Sequence, residues 1–270
     1  MSKFKRNERI GALMKILTDK PNKVFTYNYF TELFNAAKST ISEDIVIVKK
    51  LVNKLELGEI KTISGAAGGV KFIPLMTDGQ INKFLYSICD KIKEKNRVIP
   101  GGFIYMTDIL YNPDTVYNIG KIFATKFKDK NIDYVVTVET KGIPIGLETA
   151  RVLNVPLVII RSNSKVTEGP TVNINYVSGS TGKIQTMSLS RRAMKEESKV
   201  LVVDDFMKAG GTAKGMKDMM KEFKADVVGM GVFITTEKPE DKLVNDYISL
   251  LNLKGLDERE ENINIEPNLE

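Results

Sequence analysis

The sequence has no histidine, no tryptophan and a single cysteine, Cys89, among its 270 residues. The lack of histidine excludes Ser-His-Asp and Cys-His catalytic arrangements, and with one cysteine it also excludes the usual zinc ligand sets. One cysteine forms no disulfide within the chain, and its place beside an apolar helical stripe predicts a small core residue. We therefore expect no zinc site of these kinds and assign no residue to a metal, and any acid–base chemistry must come from carboxylates, lysine or tyrosine.

Long apolar runs are lacking as well. No stretch approaches the roughly 18 consecutive apolar residues of a membrane-spanning helix, and residues 1–6 lead into charged sequence instead of an apolar signal core. These absences predict a cytoplasmic protein. The length and the 42% hydrophobic residues fit two globular domains.

The positive charge is confined to the front of the chain. The formal net charge is +6; residues 1–76 contain 13 Lys and Arg against 7 Asp and Glu, and the remainder has 27 of each. A basic patch on one small domain is typical of a polyanion partner, because neutralised phosphates release their counterions. Charge alone fits a solvated basic face equally well, so the residue pattern must distinguish the two.

The pattern in this basic segment predicts a winged helix-turn-helix. Apolar residues at helical spacing predict helices over 10–17, 27–34 and 41–55. Thr40 and Glu43 have the spacing of a capping box, with Thr40 as the N-cap of the third helix. Two alternating segments around a glycine-rich turn then predict a hairpin, the wing.

The start of the third helix and the tip of the wing are the predicted contacts with DNA. A recognition helix points its N-terminal turn into the major groove, and small residues at a wing tip let the backbone approach phosphates closely. The predicted DNA-binding residues are Lys3, Lys5, Arg6, Arg9, Lys38, Ser39, Thr40, Ser42, Gly68, Gly69 and Lys71. Winged helices also serve as protein–protein modules, which is the alternative interpretation of this domain.

The rest of the chain predicts a connecting helix and then an α/β domain. The apolar face of the helix over 77–95 packs either on its own domain or on a second subunit. Beyond it, β-rich segments over 132–138, 155–160 and 200–203 alternate with helical ones. This order predicts a mostly parallel sheet with helices on both faces, whose ligands bind beyond the carboxyl ends of the strands.

The strongest motif follows the strand over 200–203. Asp204 and Asp205 precede a glycine-rich turn, residues 208–212, after which apolar residues continue at helical spacing. Two carboxylates at a strand end can accept hydrogen bonds from a vicinal diol, while such a turn directs backbone N–H groups and a helix N-terminus at a phosphate. The turn thus has the chemistry to hold a ribose and its 5′-phosphate.

This motif resembles the phosphoribosyl pyrophosphate (PRPP) motif of type I phosphoribosyltransferases. Further segments are similar to the purine operon repressors of Gram-positive bacteria, up to about Leu253; these are residues 38–44, 65–71, 100–102, 140–144, 165–169 and 204–212. The resemblance implies a dimeric repressor of purine synthesis and salvage genes that binds paired operator sites on double-stranded DNA and is released by PRPP. It also implies that PRPP is bound without turnover, so that no catalytic residue is expected.

The resemblance divides the chain and assigns its PRPP contacts. It implies a winged-helix domain over 1–75, a connecting helix over 76–96, a phosphoribosyltransferase-like domain over 97–254 and, from the acidic composition, a disordered tail over 255–270. The implied PRPP-binding residues are Asp204, Asp205, Lys208, Ala209, Gly210, Gly211, Thr212, Thr140, Lys141, Gly142, Arg161, Lys165 and Tyr105. No cofactor is required; Mg²⁺ is expected to accompany PRPP, held mainly by ligand oxygens and water, and guanine nucleotides are candidate competitors.

Two features near this site qualify the resemblance. Glu139 precedes the loop over 140–142 where a small residue is common, and a carboxylate there would repel pyrophosphate unless it turns away. Residues 172–177 and 183–187 predict a hairpin, which indicates a structured flap more than a catalytic lid.

Two other functions share these motifs. A working purine phosphoribosyltransferase with a basic accessory domain would use the same PRPP residues, and would release pyrophosphate from PRPP and a purine base. A PRPP sensor whose first domain binds protein would show no salt-dependent binding to duplex DNA.

Overall fold

The computed structural model describes residues 4–65, 68–163, 169–178 and 182–269. The chain divides into two compact units. The first comprises Met1–Thr77 with Arg151–Asn154, and the second comprises Asp78–Ala150 with Val155–Glu270. Each unit has a hydrophobic core of its own.

The first unit contains three helices followed by an antiparallel hairpin, which is the predicted order. The elements are α1 (Arg6–Asp19), α2 (Tyr27–Phe34), α3 (Lys38–Lys54), β1 (Gly58–Ile63) and β2 (Gly69–Pro74). Apolar residues spaced along one face of each helix meet in the core, where Leu13, Phe30 and Ile41 are fully buried. We call this unit the head.

The turn between α2 and α3 differs from the prediction. Asn35 adopts a left-handed conformation (φ 47°), and its N–H donates to the carbonyls that end α2. The chain then becomes extended at Ala37, which is the N-cap of α3 and has no side-chain cap. The helix therefore begins at Lys38, and the prediction that Thr40 is the N-cap is wrong.

A buried ion pair connects α1 to α3. Arg9 Nε donates to Asp44 Oδ2 at 2.7 Å, and Arg9 Nη1 donates to the carbonyl of Phe4 at 3.0 Å. Only 8% of Arg9 and 1% of Asp44 are exposed. The expectation that Arg9 faces DNA is therefore corrected: its guanidinium lies inside the head, because Asp44 on the inner face of α3 takes it as a partner.

The second unit is built on a six-stranded sheet in the order β12-β11-β10-β9-β5-β6, parallel except for β12. Its strands are β5 (Tyr134–Val138), β6 (Leu157–Ile160), β9 (Lys199–Met207), β10 (Asp226–Thr236), β11 (Ile248–Asp257) and β12 (Asn262–Pro267). The hairpin of β7 (Thr171–Val177) and β8 (Ile184–Ser190) is antiparallel, as predicted. A shorter hairpin joins β3 (Val98–Ile99) and β4 (Phe103–Ile104).

Helices cover both faces of this sheet. They are α4 (Asp78–Ile92), α5 (Thr107–Leu110), α6 (Pro113–Lys126), α7 (Gly142–Leu153) and α8 (Gly211–Glu222). Along β10, Val232 packs in the cluster that contains Met216 and Met219 of α8. Its neighbour Gly231 points to the other face, where a Cβ would lie 2.6 Å from the ring of Phe123 on α6. The α/β architecture agrees with the prediction.

The acidic C-terminal segment is ordered, so the prediction of a disordered tail is wrong. β11 extends to Asp257, and β12 pairs with it in antiparallel register. Ile263 and Ile265 alternate with polar residues along β12, and both are buried. This short period-two pattern in the sequence indicates a strand. The prediction of disorder gave more weight to the acidic composition.

The connecting helix α4 packs on β11 and β12 of its own unit. Cys89 on this helix is 1% exposed, and burial raises the pKa of its thiol to about 11. The prediction of a core cysteine is confirmed. Within the described part of the chain, no helix combines the length and apolarity needed to cross a bilayer.

We expect Asp44→Ala to destabilise the head strongly. Removing the carboxylate leaves the Arg9 guanidinium buried without its ion-pair partner, which costs about 3–5 kcal/mol. Hydrogen exchange of the α1 and α3 amides measures this loss for the head alone. Asp19→Ala is the matched control, because it breaks the exposed Lys15–Asp19 pair and should cost below ~0.5 kcal/mol. Similar losses in the two variants would contradict a stabilising role for the buried pair.

Candidate phosphate-binding site and nucleic-acid interface

Three loops meet at one edge of the six-stranded sheet in the second unit. The parallel strands β6, β5 and β9 are neighbours, so the residues that follow each of them lie together. Gly142, after β5, lies directly against Asp204 in the last part of β9: a Cβ at this glycine would be 3.2 Å from Asp204 Oδ1 and would clash with Thr137 Oγ1. The structure therefore brings the loop over 140–142 and the Asp204 motif together, as predicted.

A cleft of about 90 Å³ lies beside the glycine-rich turn. It is lined by Asp204 and residues 206–213. Gly210 has a left-handed conformation (φ 81°) and is the N-cap of α8, which begins at Gly211. The unpaired N–H groups of the first helical turn give this cleft an affinity for anions.

The two aspartates of the motif differ in burial: Asp204 lines the cleft and is buried, whereas Asp205 is half-buried. Asp204 is 4% exposed, and its Oδ1 accepts the N–H of Asp205 at 2.9 Å. Burial, and then the charge of Asp205, raise the pKa of Asp204 well above its usual value. Burial also raises the pKa of Asp205, although Lys141 acts in the opposite direction. Such carboxylates gain most from hydroxyl donors or a cation.

Glu139 is turned away from the loop that it precedes. Its Oε1 accepts the N–H and the Oγ–H of Ser162 at 2.7 and 2.6 Å, and its Oε2 lies 3.5 Å from Arg161 Nη1. Ser162 is the largest cause of a lowered pKa at this carboxyl. The Glu139 carboxylate would repel pyrophosphate only if it faced the loop over 140–142. Its charge is directed instead to the loop after β6. Arg161, predicted to contact phosphate, is the ion-pair partner of Glu139 in this conformation.

The other predicted contacts have different placements. Thr140 and Lys141 are exposed at the edge of the sheet, and so is Lys208 in the turn. Tyr105 follows β4; its backbone exchanges hydrogen bonds with Arg97, and its side chain is 45% exposed. Its role stays a prediction. Lys165 lies outside the described residues.

The β7–β8 hairpin contributes a tyrosine that sequence reasoning did not assign to the site. Tyr176 lies over α8, where a Cβ at Gly215 would be 3.1 Å from its ring. Burial is the main cause of its raised pKa, and Thr212 and Asp204 are close enough to affect it. The alternation of the hairpin gives the two faces of β7, but only the packing on α8 shows which face meets the cleft. Phe206 was missed as well, although it lines the cleft and is 40% exposed.

On the head, most of the predicted helix contacts are accessible. Lys38, Ser39 and Ser42 are exposed in the first turns of α3, and Thr40 is half-buried. At the start of α1, Lys5 and Arg6 are exposed. Lys3 lies outside the described residues. These side chains form the polar, basic surface expected of a recognition helix.

The wing shows two structural roles that the sequence did not reveal. Gly69 is buried. A side chain at this position would clash with the carbonyl of Phe25, whose backbone pairs with Val70. The predicted phosphate contact by Gly69 is therefore corrected to a packing role, while the half-buried Gly68 stays a prediction. Lys71 Nζ donates to Asn22 Oδ1 at 3.3 Å and is half-buried.

A cation opposite Lys71 was missed. Lys61 on β1 pairs with Lys71 across the hairpin and is exposed. Burial and then the charge of Lys61 lower the pKa of Lys71. Two adjacent cations on one strand pair are unfavourable without an anion, so this pair adds to the basic surface of the wing.

We expect Asp204→Asn to stabilise the second unit at neutral pH. The folded pKa of Asp204 lies above its unfolded value, so the carboxyl costs nothing at low pH and destabilises the fold as pH rises through the unfolded pKa toward the folded one. Recovering ~1 kcal/mol would raise the thermal midpoint by about 2–4 °C at neutral pH, with no gain below about pH 4. Differential scanning calorimetry measures this, with the exposed Asp218→Asn as control. A neutral-pH gain of zero would show that burial of Asp204 carries no cost.

Comparisons with known proteins agree with both halves of the structure. A family described as bacterial purine repressor, N-terminal, matches residues 5–74, and a phosphoribosyl transferase domain family matches residues 106–264. The purine biosynthesis transcriptional repressor PurR of Bacillus subtilis (strain 168) is 45% identical over 264 residues, which cover 98% of this chain and 93% of that protein.

Two further relatives bear on function and on fold. The purine biosynthesis transcriptional activator PurR of Lactococcus lactis subsp. lactis (strain IL1403) is 39% identical over 263 residues, 97% of each chain. The crystal structure of adenine phosphoribosyltransferase from Thermoanaerobacter pseudethanolicus covers 62% of this chain and 99% of its own, with a TM-score of 0.54 and 21% identity, a likeness of fold alone. From the match along nearly its whole length, this chain belongs to the bacterial purine repressor family.

Proposed function

We propose that this chain is a DNA-binding transcriptional regulator of purine biosynthesis and salvage genes, and that its phosphoribosyltransferase-like domain senses PRPP without turning it over. The observation that carries the proposal is the joint presence, in one chain, of a basic helix-turn-helix surface and a phosphate cleft beside Asp204 and Asp205, of which Asp204 is buried. The first suits a nucleic acid and the second suits a phosphorylated sugar.

The head supports binding to double-stranded operator DNA. Lys38, Ser39 and Ser42 present one cation and two hydroxyls on the first turns of α3. Such groups contact base edges and phosphates in the major groove. Lys61 and Lys71 on the wing add positive charge that can contact the phosphate backbone of the DNA. Affinity for duplex DNA should therefore fall steeply as salt rises.

The cleft supports binding of PRPP in one orientation. Asp204 and Asp205 would accept the ribose hydroxyls, and the N–H groups of residues 208–212 would hold the 5′-phosphate. Lys141, at the start of α7, would bind the pyrophosphate. The oxygen-rich carboxylate pair also suits Mg²⁺, which would neutralise part of the diphosphate charge while ligand oxygens and water supply most of its coordination.

Regulation then follows from linkage. If PRPP binds the DNA-free protein more tightly than the DNA-bound protein, DNA must weaken PRPP binding by the same factor. High PRPP would thus release the operator, and the protein acts as a repressor at such sites. We further propose that it works as a cytoplasmic homodimer, since paired operator sites require two heads, and that guanine nucleotides compete for the same cleft.

The decisive experiment is fluorescence anisotropy of a labelled purine-operon control region, with PRPP and Mg²⁺ titrated at fixed salt. We expect PRPP to dissociate the wild-type complex, while an Asp204→Ala, Asp205→Ala variant stays bound. Asp129→Ala, at an exposed position of the second unit after α6, should behave as wild type. Tight binding that PRPP does not affect would refute the sensor and retain the DNA-binding head; no binding at all would favour the enzyme.

The fold shared with an adenine phosphoribosyltransferase makes an active purine transferase the second candidate. We expect no pyrophosphate release when PRPP, Mg²⁺ and adenine, guanine, hypoxanthine or xanthine are supplied together. A coupled phosphate assay with inorganic pyrophosphatase measures this. Turnover that is abolished by Asp204→Ala, Asp205→Ala would establish the enzyme instead.

A further inference from the structure

The loop between β10 and β11 packs onto the glycine-rich turn and binds its carbonyl groups. Lys242 Nζ donates to the carbonyl of Lys208 at 2.8 Å and to that of Pro239 at 2.9 Å. The N–H of Leu243 donates to the carbonyl of Ala209 at 2.9 Å. The turn is thus held from behind by a segment about thirty residues further along the chain.

These bonds fix the direction of two successive peptide groups. In a trans peptide the C=O and the N–H point in opposite directions. Because the carbonyl of Lys208 is directed at Lys242, the N–H of Ala209 is directed away from it, on the side of the cleft. In the same way, the bond from Leu243 to the carbonyl of Ala209 directs the N–H of Gly210 into the cleft. The carbonyl of Gly210 is also occupied, since it accepts the N–H of Lys214 in α8.

The result is a group of inward N–H donors with no competing carbonyl oxygens. An anion gains from such a nest only while the peptides keep this orientation, since a flipped peptide would present a carbonyl oxygen to the phosphate. A short glycine-containing turn with φ 81° at Gly210 has the freedom to flip. Something outside the turn must therefore hold it.

Lys242 is suited to that task. Its ammonium is half-buried and makes two charge-assisted bonds to neutral carbonyls. Burial lowers its pKa. Thr236 Oγ1 lies 3.3 Å from the same Lys208 carbonyl, but its single hydroxyl proton is donated to the nearer carbonyl of Lys238 at 2.7 Å. Lys242 is therefore the main side-chain donor to the Lys208 carbonyl.

We propose that Lys242 is a positioning residue of the 5′-phosphate subsite, which acts through the Lys208 carbonyl and without touching the ligand. The proposal rests on the proposed function, because it assumes that the cleft holds a sugar phosphate. It predicts a selective effect. Ligands with a sugar 5′-phosphate depend on this turn, whereas inorganic pyrophosphate binds at the loop over 140–142, on a different element.

The test is a ³¹P NMR titration of the full-length protein with PRPP, ribose 5-phosphate and inorganic pyrophosphate, each with Mg²⁺. Lys242→Met, which keeps the side-chain length and removes the donors, should weaken PRPP and ribose 5-phosphate roughly tenfold, the cost of one misplaced hydrogen bond to a charged group. Pyrophosphate affinity should not change. Lys242→Arg should recover part of the loss, and Lys221→Met, which removes an exposed lysine at the end of α8, should behave as wild type.

A neutral variant separates positioning from charge. Lys242→Gln removes the positive charge but keeps an N–H donor for the Lys208 carbonyl, so it should bind ribose 5-phosphate more tightly than Lys242→Met does and leave pyrophosphate unaffected. If Lys242→Met fails to fold, the comparison of Lys242→Gln with the wild type carries the same test. Equal losses for ribose 5-phosphate and pyrophosphate in Lys242→Met, or a loss that disappears at high salt, would show a direct charge effect and overturn the proposal.

The remaining outcomes are equally distinct. If the wild-type protein binds PRPP but Lys242→Met and Lys242→Gln bind ribose 5-phosphate as it does, the positioning role is refuted and the proposed function stands. If the wild-type protein binds neither sugar phosphate, the proposed function fails and the positioning role fails with it.

Discussion

The parallel order of three neighbouring strands imposes the main constraint on this molecule. Because β6, β5 and β9 run side by side in the same direction, the loops after β6 and β5 lie beside the last part of β9. The tight approach of Gly142 to Asp204 then brings a lysine-bearing loop beside Asp204, which is buried, and Asp205, which is half-buried. The order of the strands therefore determines where the cleft lies, and a few residues at the carboxyl ends of the strands determine its chemistry.

The head depends on a comparable constraint of a different kind. Its recognition surface must be polar and basic, yet the helix that carries it has to pack against α1. Asp44 and Arg9 allow both: the pair holds the two helices together from the inside, and leaves Lys38 at the start of α3 exposed to solvent. A buried ion pair fixes an arrangement more than it adds stability, because both charges lose water when the head folds.

Local patterns predicted most of the elements and the chemical type of the cleft. The motif at Asp204, the hairpin of the wing and the β7–β8 flap depend on neighbours in sequence, so period and turn residues identified them. The predictions that failed for Arg9 and Gly69 depended on partners far along the chain. Arg9 resembles an exposed cation until Asp44 is placed beside it, and Gly69 resembles a flexible tip until the Phe25 carbonyl closes on it. The same holds for Lys242, which belongs to no sequence motif. Its hydrogen bond to the carbonyl of Lys208, thirty-four residues earlier, is visible only in the structure.

Cys89 has a consequence for the kind of signal this protein can report. A thiol that is 1% exposed, with a pKa of about 11, is almost never a thiolate at neutral pH, and the thiolate is the form that reacts. Oxidants and electrophiles therefore find no reactive sulfur at that position. Modification of Cys89 is therefore not a route by which oxidants would alter this protein. For the experimenter, a second cysteine placed on the wing would accept a fluorescent label while the native one stays silent.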